Sequence, residues 1–207
     1  MPKHHVPQHF PDEIELKFYP VTISSMRKKL RALHAKCKQP MRLMRRAAFT
    51  QEQNPDLGVA YIRVRDEGHR ITLSLKDYPQ KEKGIDHQRE LMVEVTDFES
   101  TRQILKATGL VESAYQETKR EEWLLGNAEI SIDIWPGLKP YIEVESHNIS
   151  TLQKTANLLG LRFEDGIGFG TLRLYMVELG LSEKEAFTHF HGGKYSHLTF
   201  QNPPVRD

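Results

Sequence analysis

The stretch Asp12–Tyr19, DEIELKFY, decides how this chain is read. Glu13, Glu15 and Lys17 alternate with Ile14, Leu16 and Phe18. Successive side chains of an extended strand point to opposite faces. One face of this strand is therefore apolar, and the other carries two acids and a counter-charge. An antiparallel sheet with its polar face in water produces that pattern, and so does a sheet curled around a polar interior.

The parity returns strand after strand. Arg63 and Arg65 oppose Ile62 and Val64, and Thr72, Ser74 and Lys76 oppose Leu73 and Leu75. Glu90, Met92 and Glu94 oppose Leu91, Val93 and Val95. Ser131 and Asp133 oppose Ile130, Ile132 and Ile134, and Glu143 and Glu145 oppose Ile142 and Val144. Any half-buried sheet shows alternation. Here, however, the polar positions are repeatedly same-sign pairs two residues apart, and like charges at that spacing repel. A bound cation would relieve the acidic pairs, and a bound polyanion the basic ones. The pattern predicts a sheet whose polar face turns inward, with amphipathic helices on the outside.

Around these strands the chain predicts the following elements. A helix over 24–37, capped by Ser24 or Ser25, carries Met26, Leu30 and Leu33 and ends near Cys37. Residues 41–49 read as a strand and 51–58 as a loop. Strands at 59–66 and 70–77 flank a turn at Glu67–His69, and a charged loop over 78–86 precedes a strand at 88–95. Residues 98–108 suit a helix closed by Gly109. Strands at 113–125, 128–135 and 140–146 follow, joined at Gly126-Asn127 and Pro136-Gly137. Ser150-Thr151 opens a helix over 151–160. Two more helices over 171–179 and 182–190 and a short strand at 197–200 complete the chain. Residues 1–11 hold three prolines and read as a flexible arm, and residues 12–207 as one domain.

Composition narrows the function. A net charge of +1 leaves no global bias toward nucleic acid or a membrane surface. The single cysteine, Cys37, forms no intramolecular disulfide and suits a reducing, cytoplasmic setting. No apolar run has the length of a transmembrane helix or the pattern of a signal peptide. His4, His5, His9, His189 and His191 lack a cysteine partner for a zinc set. GIGFGT at 166–171 lacks the Lys-Ser/Thr of a phosphate-binding P-loop and reads as a plain loop. The basic run RKKLR at 27–31 reads as a solvated helix face, and Trp123 and Trp135 as packing residues.

An interior with both carboxylates and cations suits a metal-bound polyphosphate. Carboxylates offer hard oxygen ligands to magnesium or manganese, and arginine grips phosphate oxygens bidentately. Glu13-x-Glu15-x-Lys17, Arg63-x-Arg65, Lys76, Glu90, Lys119-Arg120, Asp133 and Glu143-x-Glu145 occur in this order. That series resembles the CYTH superfamily, the triphosphate tunnel metalloenzymes, which include class IV adenylyl cyclases and thiamine triphosphatases. The resemblance runs from about residue 12 to about residue 200. It implies an α+β fold built on a closed eight-stranded antiparallel β-barrel with helices outside. It further implies Glu13, Glu15, Asp133, Glu143 and Glu145 as metal ligands for Mg2+ or Mn2+. Lys17, Arg63, Arg65, Lys76, Arg120 and Lys194 would hold the triphosphate, with Lys17 and Lys76 as catalytic groups.

The expected activity is metal-dependent hydrolysis of a triphosphate-bearing small molecule. Two alternatives stay open: cyclisation of ATP to cyclic AMP and pyrophosphate, and a non-catalytic polyphosphate- or nucleotide-binding module. The His9-Phe10 pair ahead of Glu13 is shared with class IV cyclases, at a shorter spacing than theirs. No nucleic-acid polymer or membrane is expected as a partner, and the chain is expected to be able to form a homodimer.

Overall fold

A computed structural model of the chain describes residues 12–50, 61–77, 81–82, 85–168 and 170–205. At 12–13, 77, 81–82 and 85–89 it describes the backbone alone. The expected arm at 1–11 with its histidines, and the expected loop at 51–58, lie outside the described residues.

Eight long strands form one curled antiparallel sheet, and helices pack against it. They are β1 (Asp12–Phe18), β2 (Lys36–Thr50), β3 (Tyr61–Asp66), β4 (Ile71–Asp77), β6 (Ile85–Val95), β7 (Val111–Leu125), β8 (Ala128–Ile134) and β9 (Tyr141–Ser146). Two-residue strands β5 (Lys81–Glu82) and β10 (His197–Leu198) add to β6 and β7. The long strands follow the order β1-β9-β8-β7-β2-β3-β4-β6, and β6 also pairs with the first half of β1, from Asp12↔Arg89 to Glu15↔Asp86. Beyond that point the same edge of β1 is taken by Ile167, which exchanges backbone hydrogen bonds of 3.0 and 2.8 Å with Lys17. Gly166 in this GIG loop lies so close to β1 that a Cβ would stand 2.8 Å from Leu16 Cδ1. The glycine-rich stretch thus serves a close backbone approach.

The helices are α1 (Ile23–Ala32), α2 (Phe98–Ala107), α3 (Ile149–Leu158), α4 (Gly170–Leu179) and α5 (Glu183–Phe190). None among the described residues is long and apolar enough to cross a membrane. The apolar parity faces outward onto them. Leu16, Phe18, Ile130, Ile132, Ile142 and Val144 pack with Met26 and Leu30 of α1 and Leu152 and Ala156 of α3. Each fully buried aliphatic side chain of this layer contributes about 2 kcal/mol.

Three expectations are corrected. The first helix begins after Thr22, not at a serine cap, and stops at Ala32. The chain reverses through His34 at φ 57° into β2, so Cys37 is an exposed strand residue. Asn148, not Ser150, caps α3 by accepting a hydrogen bond from the Thr151 amide. In the first two cases strand pairing wins: Lys36 and Cys37 extend the β2 ladder opposite Leu124 and Trp123.

Candidate active site

The inward parity gathers the ionic residues. Lys17 is only 2% exposed, Arg63 is 5% exposed, and Lys76, Asp133 and Glu143 are also buried. Burying this many charges costs several kcal/mol per ion unless partners repay it. The strand register supplies those partners. Lys17 stands opposite Glu143 in the β1–β9 ladder, and its ammonium lies 3.2 Å from that carboxylate and in contact with Glu15. Arg120 stands opposite Asp133, gives it two bonds of 2.8 and 3.0 Å, and reaches Glu143 at 3.1 Å. On other strands of the same inward face, Glu90 on β6 accepts from Arg63 at 2.9 Å and pairs with Lys76 at 2.8 Å.

These pairs mix the two signs within the interior. Lys17 and Arg120 sit among the acids of β1, β8 and β9, and Glu90 sits among the bases of β3 and β4. The like-charge pairs are relieved in part by the protein itself. Arg65 is the exception. Its nearest carboxylate, Glu67, is 3.8 Å away, and burial together with Arg63, Arg120 and Arg46 pushes its pKa down to about 9. It remains a cation at neutral pH, crowded by other cations. Arg63 Nε and Thr72 Oγ1 are buried with no hydrogen-bond partner among the described residues. Unsatisfied buried donors beside a crowded arginine are groups that a polyanion would satisfy.

The titrating groups also report how the strands converge. Burial alone would raise Glu143, but Lys17 and Arg120 outweigh it and hold the carboxyl low, with Lys76 of β4 adding to the pull. Burial raises Asp133 to about 6 against Arg120, with Glu143 adding repulsion and Arg65 of β3 opposing it. Burial would likewise raise Glu90, yet Arg63 and Lys76 hold it at about 2. Lys76 is pushed down by burial and by Arg63 despite its bond to Glu90. Strands distant along the sheet therefore act on each other through its interior.

Glu15, Glu143 and Glu145 bring carboxylate oxygens within 4.8 Å of one another. Three hard oxygen donors at that spacing fit a divalent cation of the magnesium or manganese kind. Asp133 stands outside this group, with both oxygens held by Arg120. The Glu13 side chain lies outside the described residues. Lys194 differs from the other cations expected to hold phosphate: it is exposed, with its ammonium 5.1 Å from the Tyr195 ring.

Several interior residues were not singled out from the sequence. Arg46 stacks 4.4 Å over Trp135 and donates to Gln116 at 2.7 Å. Two adjacent arginines in MRLMRRAAF hid its parity. Glu67 is buried and holds Arg70 at 2.7 Å, but it belongs to a turn, where parity says nothing. Tyr141 shares the parity of Glu143 and Glu145 and could have been found by it. With Trp135 it packs against Leu174 and Tyr175 of α4 in an apolar cluster. In KREEW the structure separates what sequence parity could not. Arg120 is inward and Lys119 exposed, while Glu121 faces outward to Arg27 and to the indole of Trp123.

A curled antiparallel sheet with converging buried ions of both signs defines the class of protein. The CYTH domain family model matches residues 12–166, and the chain belongs to that family. No curated protein matches it. Among solved structures, the PH1012 protein of Pyrococcus horikoshii superposes with a TM-score of 0.67 at 20% identity, covering 78% of this chain and 98% of that one. A proposed adenylate cyclase of Vibrio parahaemolyticus gives 0.66 at 14% identity, covering 86% and 99%. A Hippeastrum protein, first proposed to be an adenylyl cyclase and described as having a dominant triphosphatase activity, gives 0.50 at 17% identity, covering 84% and 94%. At these identities the likeness is one of fold.

Proposed function

We propose that the chain hydrolyses a triphosphate-bearing small molecule in the ionic interior, with a divalent cation bound by Glu15, Glu143 and Glu145. The observation that carries this reading is Arg65, a largely buried cation crowded by Arg63, Arg120 and Arg46 in the same interior as that carboxylate group. Closure of the sheet into a tunnel is part of the proposal, supported by the pairing of β1 with both β9 and β6.

Mg2+ or Mn2+ at the carboxylates would neutralise phosphate charge and orient a water. Arg63 and Arg65 hold the phosphate oxygens, Arg65 bidentately, and Lys76 and Arg120 fix the chain of phosphates from either side. Lys17 and Lys76 would meet the negative charge that grows on the bridging oxygen as water attacks the terminal phosphorus and the bond from that phosphorus to the bridging oxygen breaks. Asp133 orients Arg120 and does not contact the substrate. The triphosphatase activity described for the Hippeastrum protein favours hydrolysis. The cyclase assignment of the Vibrio protein keeps a second reading: attack of the ribose 3′ hydroxyl on the α-phosphorus of ATP, with the same phosphate ligands.

The test is turnover by the pure protein with Mg2+ or Mn2+ and tripolyphosphate, thiamine triphosphate or ATP. Phosphate release is the expected result. Cyclic AMP with pyrophosphate would replace hydrolysis by cyclisation, and tight binding with no product would make the chain a binding module.

A further inference from the structure

The inward row of β3 does not end on a cation. Two residues beyond Arg65 comes Glu67, and the hairpin ladder reaches that far, with the Glu67 amide donating to the Arg70 carbonyl at 2.9 Å. Glu67 therefore continues the row of Arg63 and Arg65. It is 4% exposed although it belongs to a turn. A glutamate is seldom so buried unless it is paired.

The two oxygens of Glu67 are used unequally. Oε2 accepts from Arg70 Nε at 2.7 Å, while Oε1 stands 3.8 Å from Arg65 Nη1, too far for a hydrogen bond. The backbone is fixed as well, because the Glu67 carbonyl accepts from Arg42 Nε at 2.7 Å. Glu67 is thus anchored at the hairpin and reaches only loosely toward Arg65. Beside this contact lie two buried donors without a partner among the described residues. They are Thr72 Oγ1, on the residue opposite Arg65 in the β3–β4 ladder, and Arg63 Nε. Burial would raise the Glu67 carboxyl, but Arg70, Arg65 and Arg63 hold it below its ordinary range.

We propose, on the reading that Arg65 holds phosphate, that Glu67 is an internal competitor of the substrate. In the free protein it lends negative charge to the crowded arginines, and a bound polyphosphate takes Arg65 from it. Phosphate offers Arg65 a bidentate grip, against one long contact from Glu67. Arg65 moves to the better acceptor, and Glu67, held by Arg70 and by its own backbone, does not follow. It stays behind as a fixed like charge beside the incoming anion, and that repulsion lowers affinity.

The test follows affinity and stability in the same samples, with tripolyphosphate as the probe. Glu67→Gln keeps the side-chain shape and an oxygen for Arg70. It should bind tripolyphosphate at least about tenfold more tightly in calorimetric titration. The KM of hydrolysis should fall with kcat kept within about twofold. The melting temperature without ligand should fall, because the arginines lose a buried counter-charge. Affinity and stability thus move in opposite directions, which a purely structural ion pair would not produce. In an Arg65→Gln background the gain in affinity should shrink to about twofold or less, since no shared cation is left to release. Glu94→Gln removes an exposed acid that also pairs with Arg70, and should change affinity by no more than about twofold. Crystals of the wild-type chain grown with tripolyphosphate need no variant to fold. They should show Arg65 on a phosphate oxygen and more than about 4 Å from Glu67.

Equal or weaker binding by Glu67→Gln overturns the inference and leaves the triphosphate reading in place. So does the full gain in the Arg65→Gln background, an equal gain from Glu94→Gln, or Arg65 still against Glu67 in the complex. Failure of the wild type and Glu67→Gln alike to bind tripolyphosphate overturns both.

Discussion

Lys17 and Glu143 face each other across the β1–β9 ladder, and their charged ends meet at 3.2 Å with Lys17 almost wholly buried. Glu143 also receives Arg120 at 3.1 Å and shares the carboxylate group with Glu15 and Glu145. One carboxylate thus serves the cation site and anchors two of the groups proposed to hold phosphate.

Glu143→Gln should therefore lose turnover by at least about 100-fold. It should also destabilise the fold by about 2 kcal/mol, because Lys17 and Arg120 lose a shared buried counter-charge. Steady-state assays and urea denaturation check the two effects.

Arg65→Gln should separate function from stability. It removes a cation whose surroundings are mostly cationic, so the folded state should be unchanged or more stable by about 1 kcal/mol. Affinity for tripolyphosphate should fall at least about tenfold as the bidentate fork is lost. Calorimetric titration and thermal melts on the same sample give both numbers. A variant that is strongly destabilised would contradict the crowding of Arg65.

Divalent cation should stabilise the wild-type chain through the carboxylate group, since a ligand that binds only the folded state raises the melting temperature. Mn2+ or Mg2+ should raise it in the wild type and EDTA should reverse the rise. Glu15→Gln and Glu145→Gln should each lose most of that response. Persistence of the full shift in both would place the cation elsewhere.

The pH dependence has a definite sign at Glu90. Its folded pKa of about 2 lies below the roughly 4.3 of a free glutamate, so the unfolded chain binds the proton more tightly. Its contribution is complete above about pH 5 and fades as pH falls toward 2. Glu90→Gln should destabilise the protein by about 2 kcal/mol at neutral pH, with the difference from wild type shrinking over that window. Urea melts at a series of pH values measure it.

Glu121→Ala provides the structural counterpart. This carboxylate faces away from the ionic interior, binds Arg27 at 2.5 Å and accepts the Trp123 indole N–H at 2.7 Å. Its loss should cost about 2 kcal/mol, by leaving a buried indole donor unpaired. The kinetic constants measured at a temperature where the variant is folded should match those of the wild type.

The sequence by itself determined which residues share a face. Alternation in DEIELKFY, YIRVR, ISIDIW and YIEVE placed Glu15, Lys17, Arg63, Asp133 and Glu143 on the polar side, because strand geometry leaves no other choice. Turn glycines and capping residues placed most element ends within a few residues. The ordered motifs supported the family that the match over 12–166 shows. The tertiary structure alone decided who meets whom. Register pairs Arg63 with Glu90, 27 positions away, at 2.9 Å, and leaves Arg65 two residues on with only the longer 3.8 Å contact to Glu67. It also draws Lys36 and Cys37 out of a helical pattern into β2, and brings Arg46 and Glu67 inward from stretches where alternation is silent. Those outcomes depend on hydrogen-bond partners supplied by distant strands, and local spacing carries no record of them.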